Sequence, residues 1–209
     1  MAKILAFESK KSSSPDNILR KVPVRPKNSE VRSREYLTLD EVEALMKAAG
    51  SVGRHRHRDR ILILIMFRHG LRVTEAGSVR WDQVDFRKGQ IHINRLKNGR
   101  AATHYLEGDE MRGLRRLKRE SPGNPFMFVT ERGGPLTRST VSKLISRAGK
   151  VAEIDFPVHP HMLRHACGYY LANKGVDTRT IQDYLGHVSI MHTVRYTELS
   201  PHKFKGLWS

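Results

Sequence analysis

Apolar positions along this chain repeat with two different periods. From Thr38 the spacing is helical: Leu39, Val42, Leu45 and Met46 make one stripe, Thr38-Leu39-Asp40-Glu41 reads as a capping box, and Gly50 supplies a stop. The run Ile61-Leu62-Ile63-Leu64-Ile65-Met66-Phe67 is apolar on every side. It predicts a central core helix over about 58–69, ended by Gly70, with a buried strand as the competing reading of so short a run. A short helix is expected over 74–79. The period then drops to two. Segments 84–86, 90–94 and 103–106 read as strands, with Lys88-Gly89 and Asn98-Gly99 as the turns between them. Helical spacing returns over 109–119. Gly133-Gly134-Pro135 marks a turn, and Thr137 opens a helix with Val141, Leu144, Ile145 and Ala148 on its apolar side. Pro160 starts the next helix, which runs through Asn173 to a stop at Gly175. Asp177-Thr178 caps another that ends at Gly186, and a last one covers 191–197 before Pro201. The expected fold class is α+β, mainly α: a helical body carrying a small three-stranded antiparallel sheet.

Residues 1–35 follow neither period. They hold Ser12-Ser13-Ser14-Pro15, Pro23, Pro26 and scattered Lys and Arg, with few apolar positions. Such a segment buries too little surface to offset its ordering entropy, so it is expected to be a basic, flexible tail. Residues 36–209 are long enough for one domain with its own core. The chain ends in an apolar segment, Phe204-Lys205-Gly206-Leu207-Trp208.

Composition sharpens this picture in two ways. Lys plus Arg number 38 against 21 Asp plus Glu, a formal charge of +17 that calls for a polyanionic partner, nucleic acid first among them. The one cysteine, Cys167, excludes an internal disulfide framework and a Cys-based zinc finger, and in its apolar setting reads as a small buried residue. The longest apolar run is far too short for a bilayer, and Met1 to Phe7 is too brief for a signal peptide. A cytoplasmic protein, kept with the DNA of the nucleoid and not in a membrane, is expected.

The candidate chemistry is phosphoryl transfer, which needs a nucleophile, donors for the phosphate oxygens and an acid for the leaving oxygen. In Gly70-Leu71-Arg72-Val73-Thr74-Glu75, Arg72 opens a helix, where a guanidinium can grip phosphate bidentately. Glu75, one turn on, can steady a neighbour, although a surface ion pair is the plainer reading of this pair alone. In His161-Met162-Leu163-Arg164-His165, His161 and Arg164 share a face near a helix N-terminus that favours anions. His161 and His165 have the spacing of metal ligands, but the Glu of an H-E-x-x-H site is missing, so no metal is expected. Tyr184-Leu185-Gly186-His187 is followed nine residues later by Tyr196. Tyr169, Tyr170 and Tyr184 read as packed rings with bonded hydroxyls. The chain carries no P-loop, and no cofactor is expected.

These motifs, in this order, resemble the tyrosine recombinase (phage integrase) family. The matching residues are Gly70 to Glu75, Lys97 in the sheet turn, His161-x-x-Arg164, Leu185-Gly186-His187 and Tyr196, and they span roughly 36–208. The segments His159 to His165 and Ile181 to His187 look closest to the short fimbrial phase-variation invertases. The resemblance implies a site-specific DNA recombinase that joins Tyr196 to a DNA 3′ phosphate and then reseals the strand, giving inversion, integration or excision. Arg72 and Arg164 would clamp the non-bridging oxygens and His187 would add a donor. His161 would accept or orient the phenolic proton. Lys97 would protonate the departing 5′ oxygen, and Glu75 would support His161 and the Arg72 helix. In Leu96-Lys97-Asn98-Gly99-Arg100 a solvated turn lysine is the alternative, with Arg95 and Arg100 as neighbours that could take its place. Two guanidiniums and a helix end beside Tyr196 are expected to favour its phenolate.

The implied partner is double-stranded DNA carrying inverted-repeat sites, bound by a homo-oligomer of two subunits per site and four in the synapse, with accessory DNA-binding proteins as a further possibility. The polar face of the helix from Thr137, with Arg138, Ser142 and Lys143, is expected in the major groove, or else is an ordinary wet face. The run Arg54-His55-Arg56-His57-Arg58 is expected on phosphates. Residues 200–209 would dock on a neighbouring subunit or fold back on their own domain. A DNA-binding regulator without chemistry, a type IB topoisomerase-like enzyme and a metallohydrolase are the competing classes.

Overall fold

The computed structural model describes residues 34–96 and 99–198. Arg34 and Glu35, placed by composition in the basic tail, pack on the domain. Arg34 pairs with Glu41 and lies over the rings of Tyr36 and Phe156, and Glu35 approaches His159. The first helix, α1, is Leu39–Ser51, and both halves of its capping box form: the Thr38 N–H donates to Glu41 at 2.8 Å, and the Glu41 N–H to Thr38 Oγ1 at 3.3 Å. Helix α2, Arg56–Arg68, settles the ambiguity of the apolar run. Its residues Ile61 to Met66 are at most 3% exposed, surrounded by α1, α4 and α6. Fully burying side chains of this kind stabilises by about 1.5–3 kcal/mol each, so α2 anchors everything around it.

At Gly70 the backbone turns into the left-handed region (φ 55°) and passes so close to Leu185 that a Cβ would sit 2.3 Å from its side chain; glycine is required there. Helix α3, Val73–Ser78, follows, then a 3-10 turn over Trp81–Gln83. Strands β1 (Val84–Asp85), β2 (Gln90–Ile93) and β3 (Ala102–Tyr105) form an antiparallel sheet in that order, with Val84 opposite Ile91 and Ile91 opposite His104. β1 is shorter than its alternation suggests because the Asp85 carboxylate accepts the N–H groups of Arg87 and Lys88 and turns the chain.

Helix α4 is Gly108–Glu120 and α5 is Arg138–Val151. Between them, bridges pairing Arg80 with Phe126 and Val129 with Pro135 fasten a stretch to which the sequence periodicity assigned no element. Helices α6 (Pro160–Asn173), α7 (Thr178–Leu185) and α8 (Met191–Glu198) complete the described chain. Asp177 caps α7, and Gly186 ends it in the left-handed conformation. Helix α6 packs against α2, α7 and α8, which brings Gly70, Arg164, Leu185 and Tyr196 to one place. Among the described residues no helix is long and apolar enough to cross a membrane.

Candidate active site

Three arginines converge on the turn after α2. Arg164, 1% exposed, donates from one terminal nitrogen to the Gly70 carbonyl and from the other to the Leu185 carbonyl at 2.7 Å. Arg95 is also buried. It donates to the carbonyls of His69 (2.9 Å), Tyr184 (2.7 Å) and Gly70 (3.3 Å) and pairs with Glu75 at 3.1 Å. Glu75 in turn accepts from the Arg72 side chain at 2.7 Å, the Arg72 N–H at 2.9 Å and the Leu96 N–H at 3.1 Å. Arg72 also donates to the Leu96 carbonyl at 3.4 Å and keeps 23% of its side chain accessible. Burial alone would raise the Glu75 pKa. The Arg72 hydrogen bonds, the Arg95 charge and the Leu96 N–H outweigh it, and the carboxyl titrates below its ordinary range.

The other half of the site is aromatic. Tyr196, on the short helix α8, is 1% exposed and its hydroxyl lies 2.9 Å from His165 Nδ1. Its ring rests on the open face of Gly168, where a Cβ would come within 2.5 Å, and packs edge-on to Tyr169. His187 stacks beside it with ring centroids 6.3 Å apart, oriented by a hydrogen bond between its Nδ1 and Thr193 Oγ1 at 2.8 Å. Gln182 fixes the same turn by donating to the carbonyls of His187 and Val188. His161 is exposed at the rim, its ring edge-on to His165 at 4.4 Å.

Electrostatics separates the two halves. Burial, followed by the charges of Arg164 and Arg72, holds His187 down to about 3. Burial and then His161, Arg195 and Arg164 do the same to His165, also to about 3. His161 falls to about 4, through partial desolvation first and then Arg164, His159, Arg72 and Arg195. Tyr196 moves the opposite way to the expectation drawn from its neighbours. Burial pushes its phenol up to about 12 against the pull of Arg164 and Arg195, so the hydroxyl keeps its proton. The physical reason is that the ring is enclosed, and its desolvation outweighs the attraction of the two guanidiniums.

The structure therefore brings Arg72, Arg164, His187, Tyr196 and Glu75 together, with His161 at the edge. The hydrogen bonds of Glu75 among the described residues go to Arg72, Arg95 and Leu96 rather than to His161. Lys97 lies outside the described residues, as does the segment 200–209. On α5, Arg138 and Lys143 are exposed and Ser142 is half-buried, and Lys143 shares a basic groove with Arg54, Arg58 and Arg147. The basic run before α2 is partly absorbed into the fold. The helix begins two residues earlier than its apolar spacing suggests, and this turns His57 onto the Gly113 carbonyl and Arg58 onto Asp59 and the Val129 carbonyl. Tyr184 and Tyr169 are packed rings, and the Tyr184 hydroxyl donates to the Arg68 carbonyl; Tyr170 is instead 38% exposed. Cys167 is buried, its thiol pushed up to about 12 by burial. Among the described residues no cluster of His, Cys, Asp or Glu is arranged to hold a metal.

Sequence reasoning considered Arg95 only as a stand-in for Lys97 and His165 only as a metal-type partner of His161, and did not single out Thr193. For Arg95 a signal existed. The inward alternation of Ile91 and Ile93 continues to position 95, which places its side chain in the core. For His165 the signal was its position one residue after Arg164 in an apolar helix, and for Thr193 there was none.

Similarity agrees with this geometry. The phage integrase family profile matches residues 35–203. The type 1 fimbriae regulatory protein FimE of Escherichia coli K12 is 44% identical over 183 residues, covering 84% of this chain and 91% of that protein. FimB of the same strain is 41% identical over 182 residues, covering 85% and 90%. The crystal structure of XerA recombinase superposes with a TM-score of 0.70 at 28% identity, over 81% of this chain and 62% of that one. The chain belongs to the phage integrase family and is a tyrosine-type site-specific recombinase, an enzyme of DNA recombination.

Proposed function

We propose that the chain cleaves one DNA strand by attack of the Tyr196 oxygen on phosphorus, holds the 3′ end as a phosphotyrosyl ester, and rejoins it to a new 5′ end. The supporting observation is the meeting of Tyr196, His187 and Arg164 around one point, with Arg72 turned outward beside them. Arg72 binds a non-bridging phosphate oxygen. Arg164 holds the floor of the cradle on Gly70 and Leu185 and offers its remaining N–H groups to the same phosphate, and His187 adds a donor. Glu75 positions Arg72. His161 closes the rim beside His165, and Lys97 donates the proton to the departing 5′ oxygen. The exchange conserves bond energy, so no nucleotide cofactor takes part.

The likeness to fimbrial regulatory proteins supports inversion of a segment between inverted repeats as the outcome, with integration and excision as the other products of the same chemistry. Lambda integrase has been seen as a dimer on a core site and XerH on a palindromic site, which supports assembly of this chain on DNA as a dimer per site; two such dimers make the tetramer of the synapse. Residues 200–209 link neighbouring subunits in that assembly. Arg138, Ser142 and Lys143 face the major groove, Arg54 and Arg147 the backbone. The test is capture of protein-linked DNA from cells expressing the wild type or Tyr196→Phe. Recurrent 3′ attachments beside inverted repeats, absent from the variant, are expected; equal recovery from both would replace this reading with that of a non-catalytic DNA-binding regulator.

A further inference from the structure

We propose that His165, the residue after Arg164, is the group that takes the phenolic proton of Tyr196 as its oxygen attacks phosphorus. The inference rests on the reading of Tyr196 as nucleophile. Among the described residues His165 Nδ1 is the hydrogen-bond partner of the hydroxyl, at 2.9 Å, inside the 2.6–3.2 Å reach of a general base. Both groups are buried, at 6% and 1% exposure, so solvent cannot substitute easily as acceptor. His161, the residue singled out by the family motif, is exposed, and its ring meets the ring of His165.

The direction of the hydrogen bond follows from charge. His161, Arg164 and His159 face His165 from its own helix and its N-terminal end. Arg195 faces it from α8, with Tyr196 and Tyr169 as the phenols alongside. Burial and these cations keep the imidazole neutral, and a neutral ring that accepts at Nδ1 carries its proton on Nε2. The phenol, pushed up by burial, stays protonated and donates. The pair is thus a resting donor and acceptor, already aligned. A phosphodiester seated on Arg72 and Arg164 adds a negative charge among the cations that disfavour imidazolium, which raises the basicity of His165 when it is needed.

In the step, the Tyr196 oxygen forms a bond to phosphorus and the bond from phosphorus to the 5′ oxygen breaks. The phenolic proton moves to His165 Nδ1, giving imidazolium, while the 5′ oxygen takes a proton from the acid assigned above to Lys97. Rejoining runs backwards: the 5′ hydroxyl attacks, returns its proton to the lysine, and imidazolium reprotonates the departing phenolate.

The test is single-turnover cleavage of a captured target site by the full chain, with an ordinary 5′ oxygen and with a bridging 5′ sulfur that leaves without an acid. His165→Asn places an amide oxygen where Nδ1 stands, so it can keep the hydrogen bond and cannot take the proton. It is expected to cut about 100-fold slower near pH 7, the usual scale of a lost general base. Its rate should climb steeply from pH 7 to 9 while the wild type stays flat, and sulfur should not rescue it, though sulfur rescues Lys97→Ala. A pH-independent deficit, rescue by sulfur or an unimpaired rate would overturn the inference. Covalent complex formed by Tyr196→Phe would overturn the nucleophile reading instead. If His165→Asn does not fold, 15N-histidine spectra of the wild type decide. A ring with unprotonated, hydrogen-bonded Nδ1 that shifts in Tyr196→Phe is expected, and its absence would overturn the assignment.

Discussion

The arginine side and the tyrosine side of the site are built on different physical plans. Arg164 and Arg95 are buried cations that donate to backbone carbonyls at the ends of α2 and α7, and Glu75, on α3, is a buried carboxylate that accepts from Arg72, Arg95 and the Leu96 N–H. That half is set before any ligand arrives, and only Arg72 retains outward capacity within the triad with Glu75 and Arg95. Tyr196 and His187, with His165, are neutral groups, each described by one side-chain hydrogen bond, on or beside the eight-residue helix α8. The contrast is between a half made of buried, hydrogen-bonded charges and a half made of buried neutral rings.

Breaking the rigid half should have the largest effect. Arg164→Lys loses the planar fork that spans Gly70 and Leu185, and cleavage in a single-turnover assay should fall about 1,000-fold, the upper range for a lost oxyanion donor. Wild-type rates would show that the fork is dispensable. Glu75→Gln comes next. It leaves Arg95 as a buried charge without its partner, which costs about 3–5 kcal/mol, so the thermal midpoint should drop by many degrees. Because the Glu75 pKa is depressed in the fold, its stabilisation is present at neutral pH and is lost as pH falls through the carboxylate range; the variant should lack that part of the acid slope.

Acid sharpens the contrast from the other side. His165 and His187 titrate near 3 in the fold and near 6.5 when unfolded, so between those values the unfolded chain binds more protons and stability rises with pH. Lowering pH from 7 to 5 should cost about 2 kcal/mol for each of these histidines, before Glu75 begins to protonate. A denaturation midpoint flat over that window would contradict their burial as neutral rings. The smallest change is Thr193→Val, which removes the hydroxyl that orients His187. A stability loss of about 1 kcal/mol and a roughly tenfold slower cleavage are expected, with DNA affinity unchanged in a gel-shift titration.

Most of the fold was legible in the sequence. Caps at Thr38, Thr137 and Asp177 and stops at Gly70 and Gly186 act through local hydrogen bonds and backbone angles, which residue type alone specifies. Arg72, Glu75, Arg164, His187 and Tyr196 were legible as motif residues. Their wiring was not. Arg95 reaches Glu75, twenty positions away, and Tyr184, eighty-nine away, and such contacts depend on how elements pack. The protonation of Tyr196 was misjudged for the same reason: charge neighbours can be listed from sequence, while the enclosure that outweighs them follows from α6, α7 and α8 closing together.

The most direct test of the central claim is the identity of the residue bonded to DNA. Covalent complexes formed by the wild type on a captured site would be digested with nuclease and protease, and the peptides read by tandem mass spectrometry. The expected result is a nucleotide remnant on Tyr196, joined through its 3′ phosphate. A remnant on any other residue, or a 5′ linkage, would contradict the assignment of the nucleophile.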